Sequence, residues 1–111
     1  MRVAVVQTNP IFGEVKKNVD KALSLMETAP ADLYVLPELF NSGYNFVDEG
    51  EVRTLAEPAN GSTFRTICEW TKKYSCYVVY GFAEKAEKIY NSAALVGPPW
   101  ISWDLSQSAS V

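Results

Sequence analysis

The chain has 111 residues, 48 % hydrophobic and 21 % charged, a balance that suits one globular domain and excludes a disordered chain. Its net charge of −3, with no basic run longer than the doublets Lys16-Lys17 and Lys72-Lys73, argues against nucleic acid or an anionic membrane as the partner. Without histidine there is no His-based triad or His-ligated metal, and two cysteines, Cys68 and Cys76, cannot build a zinc site by themselves.

The apolar run Val3-Ala4-Val5-Val6 is too short for a signal peptide, and no run approaches a membrane span, so the expected setting is reducing and cytoplasmic. Closed by Asn9-Pro10, Val3 to Val6 predicts a strand buried on both faces. From Gly13-Glu14 onward Val15, Val19, Ala22, Leu23 and Met26 recur at helical spacing, with Lys16, Lys17, Asp20 and Lys21 on the wet side. Glu14 in the first turn suits the dipole of this helix, and Ala29-Pro30 stops it. Leu33 to Leu36 predicts a second buried strand, stopped by Pro37, which has no N–H to donate.

The stretch from Leu39 to Asn60 is irregular, with a short helix expected over Asp48 to Leu55. Ser62 is the expected N-cap of the next helix, whose Phe64, Ile67, Cys68 and Thr71 share a face and whose Lys72 and Lys73 suit its C-terminus. Tyr77 to Ala83 and Tyr90 to Val96 predict two more strands, joined by the charged turn Glu84 to Lys88. The expectation is an α/β fold in β-α-β-α-β-β order, parallel at first, with the fourth strand returning antiparallel in a mixed sheet.

Glu38 stands where the second strand gives out, and the carboxyl ends of strands in open α/β sheets are where catalytic groups gather. Position alone favours a solvated loop glutamate. Three segments carry more: Val3-Ala4-Val5-Val6-Gln7, then Leu36-Pro37-Glu38-Leu39-Phe40 with Ser42-Gly43-Tyr44, then Asn91-Ser92-Ala93. Over residues 1–98 the chain resembles the N-terminal portion of a nitrilase-superfamily carbon–nitrogen hydrolase. The resemblance implies a partial α-β-β-α sandwich, a complete domain more than twice this length, no cofactor and no metal. It implies hydrolysis of a small-molecule amide or nitrile by a Glu-Lys-Cys triad, and association into a homo-oligomer when complete.

In such a triad a thiolate attacks the electrophilic carbon, a carboxylate takes the thiol proton, and an ammonium stabilises the charge that develops on the intermediate. By the resemblance Glu38 is the general base, shielded by Leu39 and Phe40, while Phe40 and Tyr44 border the substrate; read without it, those two rings are core or rim packing. The lysine and the cysteine are absent. Cys68 and Cys76 read as small buried hydrophobes, and Lys85 and Lys88 as solvated turn residues.

The texture changes at residue 99. The segment 99–111 holds two of the three tryptophans, ends rich in serine and lacks the family's signature, so it forms an atypical tail. Tryptophan has the single codon TGG, and reading one base later forces glycine across Trp100-Ile101 and Trp103-Asp104. Permitted codons for the rest then spell His-Gly-Tyr-Leu-Gly-Thr-Tyr-Arg-Lys-Val-His-Leu-Phe, which is similar to the family's lysine segment, with the lysine codon overlapping Gln107 and Ser108. A frameshift near Pro98-Pro99 is one expectation; a short native protein whose Trp100 and Trp103 pack on the sheet is the other. Functionally the expectation is an inactive portion of a hydrolase, against the alternative of a small non-catalytic α/β binding module.

Overall fold

The computed structural model describes residues 1–98 and the backbone of 101–108. The elements run β1 (Val3–Val5), α1 (Val15–Glu27), β2 (Leu33–Val35), α2 (Glu49–Leu55), α3 (Ser62–Tyr74), β3 (Tyr77–Lys85), β4 (Ile89–Gly97) and β5 (Ile101–Ser108). All five strands form one sheet, ordered in space as in the chain. β1, β2 and β3 are parallel, with Val3 beside Leu33 and Leu33 beside Tyr77. β3 to β4 and β4 to β5 are antiparallel, so the sheet is mixed as the strand pattern predicts.

Alternation along the strands decides which face is covered. Tyr34, Val78, Tyr80, Phe82, Ala94 and Val96 point to one side and make a single core with Val19, Ala22 and Met26 of α1 and Ile67 and Trp70 of α3. Tyr34 meets Trp70 edge to face with ring centroids 6.5 Å apart, tying β2 to α3. The result is one helical layer on one sheet, which is half of an α-β-β-α arrangement.

The opposite face differs from expectation. Val3 is 51 % and Val5 78 % exposed, although the run predicts a strand buried on both sides. β1 is an edge strand with β2 as its partner, and among the described residues no element covers its second face. A run of four apolar residues cannot distinguish an edge strand from a central one.

The helix ends also correct two expectations. Glu14 is the N-cap of α1 and not part of its first turn, and it makes no side-chain capping bond. Ser62 is the first residue of α3, whose N-cap is Gly61. The orphan Thr63 N–H there is taken instead by Glu57 Oε1 at 2.9 Å, a carboxylate from outside the helix. α2 forms as expected, and Asp48 caps it by accepting from the Glu51 N–H at 2.9 Å.

The tail adds a strand that the chain-order reading did not include. The backbone of β5 pairs along its length with β4, from Gly97 beside Ile101 to Tyr90 beside Ser108. Packing of Trp100 and Trp103 on the sheet lies outside the described residues.

Candidate active site

β2 ends at Val35, and the Leu36 N–H makes one further bond to the Val79 carbonyl at 2.9 Å before Pro37 turns the chain out of the ladder. Residues 38–42 then form a tight elbow. Leu39 takes a left-handed backbone, φ 53°, which costs a non-glycine residue roughly 1–2 kcal/mol. Gly43 closes the elbow at φ 83°, its N–H donating to the Leu39 carbonyl at 2.9 Å. A side chain at 43 would also press on the backbone of Phe12, whose Cα is 3.1 Å from where a Cβ would stand.

Glu38 sits at the start of this elbow, on the sheet face away from the helices. Its backbone lies over β3 at Gly81, where an added Cβ would come within 2.8 Å of the Glu38 Cα. Its Oε1 accepts a hydrogen bond from Asn91 Nδ2 of β4 at 2.6 Å, short as charge-assisted bonds are. Glu38 is exposed, so the shielding expected from Leu39 and Phe40 is not found within this chain. Phe40 turns the other way: it is fully buried and packs edge to face on Tyr80, centroids 5.6 Å apart. Tyr44 is 53 % exposed at the far end of the elbow. The sequence-predicted trio therefore divides into an exposed carboxylate, a core anchor and a rim ring.

Beneath the elbow lies a polar network that the sequence reading did not include. Glu57 accepts from Asn41 Nδ2 at 2.9 Å, Thr63 Oγ1 at 2.6 Å, the Thr63 N–H at 2.9 Å and Ser62 Oγ at 3.3 Å. Asn41 is 2 % exposed and also donates to Thr63 Oγ1 at 3.2 Å. Asn18 of α1, 5 % exposed, donates to the Asn41 carbonyl at 2.9 Å and exchanges two bonds with the Ile11 backbone at 2.8 Å. Two helices, α1 and α3, and the loop residue Glu57 thus grip the elbow from below. The available signal was Asn41 inside an apolar segment, which demands a partner wherever it is buried.

Of the cysteines, Cys76 is 1 % exposed and burial pushes its thiol up, partly offset by the Trp70 indole; Cys68 is half-buried on α3. Burial and the raised thiol keep Cys76 from serving as a thiolate nucleophile. Lys85 and Lys88 are exposed. A shallow cleft of about 720 Å³ lies between Phe12, Glu14, the α2 cap Asp48 and the α2 residues Thr54 and Leu55, and its lining does not include Glu38. Among the described residues no group of three or more acidic, histidine or cysteine side chains could hold a metal ion, and no helix is long and apolar enough to cross a membrane.

The family model for carbon-nitrogen hydrolases matches residues 2–100, which span the elbow, Glu38 and Asn91. The chain belongs to the carbon-nitrogen hydrolase family. The chain is 42 % identical over 103 residues to a nitrilase of Pyrococcus abyssi, an alignment covering 88 % of the chain and 39 % of that protein. It is 33 % identical over 105 residues to an (R)-stereoselective amidase of a Pseudomonas species, covering 92 % of the chain and 38 % of the amidase. In fold it superposes on the crystal structure of an N-terminal amidase with a TM-score of 0.87, at 24 % identity, over all of this chain and 28 % of that one. The chain thus spans about two-fifths of the length of these curated relatives.

Proposed function

We propose that this hydrolase chain carries the general-base portion of an enzyme that cleaves a small-molecule amide or nitrile through a Glu-Lys-Cys triad, with Glu38 as the base. The observation that carries the reading is the elbow: a carboxylate at the carboxyl end of β2, held at 2.6 Å by Asn91 and supported from below by the Asn41–Glu57 network. A base must keep one geometry against the group whose proton it takes, and this one is held from two sides. Tyr44 borders the substrate from the rim, and Phe40 sets the elbow's height from the core.

By itself the chain is inactive, because a lone carboxylate cannot supply the nucleophile or the oxyanion cation. Residues 99–111 are read from a neighbouring frame. The strand register supports this: Gln107 pairs with Asn91, so a lysine encoded across the Gln107 and Ser108 codons would fall beside the residue that holds Glu38. The full product works as a cytoplasmic homo-oligomer.

The purified 111-residue chain is expected to hydrolyse neither aliphatic amides nor nitriles above the background of its Glu38→Gln variant. Turnover by the chain would overturn the inactive reading. Sequencing the gene from the Leu95 codon onward should find the neighbouring frame open through Tyr-Arg-Lys to a cysteine-bearing strand. In the product of that frame Glu38→Gln should lower kcat at least about 10³-fold with the fold intact, as loss of one member of a cooperative triad does. Near-normal turnover would remove Glu38 from the mechanism.

A further inference from the structure

We propose that Asn91 and Gly81 are the positioning residues of Glu38, Asn91 fixing Oε1 so that Oε2 is the oxygen left to take a proton, and Gly81 opening the space in which the Glu38 backbone rests. The inference rests on reading Glu38 as the base; its test does not.

The geometry is direct. Asn91 Nδ2 donates to Glu38 Oε1 at 2.6 Å across 53 residues of chain. A carboxamide is suited to this task because it offers an N–H without a charge and is far too weak an acid to release that proton to the carboxylate. It therefore orients the carboxylate without neutralising it, whereas an ammonium in the same place would compete for the proton the base must accept. One of the two oxygens is engaged, so basicity toward an incoming group falls to Oε2.

The donor also stands on rigid ground. Asn91 lies within β4, paired to Ala83 of β3 on one side and to Gln107 of β5 on the other. A side chain projecting from a strand hydrogen-bonded on both edges is placed more narrowly than one on a loop. Its neighbours on the strand face the opposite way: Ser92 is 3 % exposed and donates to Glu84 Oε1 at 2.7 Å, which fixes the rotation of β4 about its axis.

Gly81 works by absence. It lies in β3 opposite Ala93, and a Cβ there would stand 2.8 Å from the Glu38 Cα and 3.4 Å from the Leu39 nitrogen. Both are backbone atoms in a strained elbow and cannot swing aside. Any side chain at 81 must lift Glu38 away from β4 and lengthen the bond to Asn91. The Asn-Ser-Ala strand and the mid-strand glycine thus have one shared task, the placement of a single carboxylate.

The test reads the Glu38 side chain in the 111-residue chain by magic-angle-spinning NMR, which serves an associated protein as well as a monomer. In the native chain the order parameter of the Glu38 Cγ methylene should exceed that of the exposed, unpaired glutamate side chains, and should fall to their level in Asn91→Ala and in Asn91→Asp. The second variant keeps the shape and loses the donor. Gly81→Ala should abolish the through-space contact between Asn91 Nδ2 and the Glu38 carboxyl carbon while the β3–β4 backbone shifts persist. Reciprocally, Glu38→Ala should move the Asn91 side-chain amide signal upfield, and this exposed substitution decides the matter if a strand variant fails to fold. An ordered Glu38 in both Asn91 variants, or an Asn91 amide indifferent to Glu38→Ala, would overturn the role of Asn91. Survival of the contact in Gly81→Ala would overturn that of Gly81. No substrate enters these measurements, so a completed protein without turnover would remove the base assignment and leave the positioning result intact.

Discussion

Glu57 shows how much one half-buried carboxylate can hold. It accepts from Asn41, Ser62 and Thr63 and so joins the elbow to the first turn of α3. Asn41→Ala removes one donor from that carboxylate and leaves its ring of bonds incomplete, at a cost of about 1–3 kcal/mol in urea unfolding. Asn41→Asp should cost more, since it sets two carboxylates against each other in a site with little water. Two other buried groups give the fold an alkaline limit. Burial pushes the Tyr34 phenol above its ordinary value of 10.0, although the Ala31 N–H it accepts from pulls the other way, and burial likewise raises the Cys76 thiol above 9.0. Both must be neutral in the folded chain, so the folded state holds more protons than the unfolded one above those ordinary values. Their contribution to stability is whole below about pH 9 and is lost as the pH climbs. Tyr34→Phe should flatten the upper part of that decline in pH-dependent unfolding, at the cost of the bonds its hydroxyl makes to Ala29 and Ala31.

Elements differ in how far they depend on the rest. α2 has no buried residue and is held at its start by Asp48, so Asp48→Ala should cost about 0.5–2 kcal/mol of local stability. The loss should be seen as faster amide exchange within Glu49–Leu55, with β3 and β4 unchanged; a global loss would mean that α2 is part of the cooperative core. The same distinction between local and distant partners governs what could be read from the chain. α1, α2, β3 and β4 follow from periodicity and turn chemistry, which are local. Gly61 displaces Ser62 as N-cap because Glu57, six residues before Thr63, supplies the acceptor through a loop turn that helical periodicity does not reveal. Trp70 joins the core through Tyr34, a contact across elements that helical spacing within α3 does not show. β5 was legible after all: Ile101, Trp103 and Leu105 alternate with Ser102, Asp104 and Ser106, the period of a strand, beneath a composition foreign to the segment before it. At the site Glu38 is marked by its place after β2, whereas Asn91 as its partner depends on a register that no single segment contains.

Among the described residues the sheet has one dressed face and one bare one. Opposite the helices, Val3 and Val5 are exposed, and Leu33, Val35, Val79 and Leu95 are only half-covered. With β1 at an open edge, apolar surface and unpaired backbone lie side by side, a combination that drives association. Sedimentation over a hundredfold range of concentration should therefore show the chain forming dimers and larger species, and Val3→Lys with Val5→Lys should shift it toward monomer. A native chain that stays monomeric throughout would show that the bare face is tolerated. The order of the strands has a different consequence. Because β1 to β5 are neighbours in the order in which they are synthesised, each strand finds its partner already made. Among the described strands none is inserted between earlier ones, so their assembly can keep pace with the ribosome. A nascent chain stalled after Gly97 has cleared the exit tunnel should already protect β2 and β3 from protease, the sheet growing from its oldest edge toward its newest.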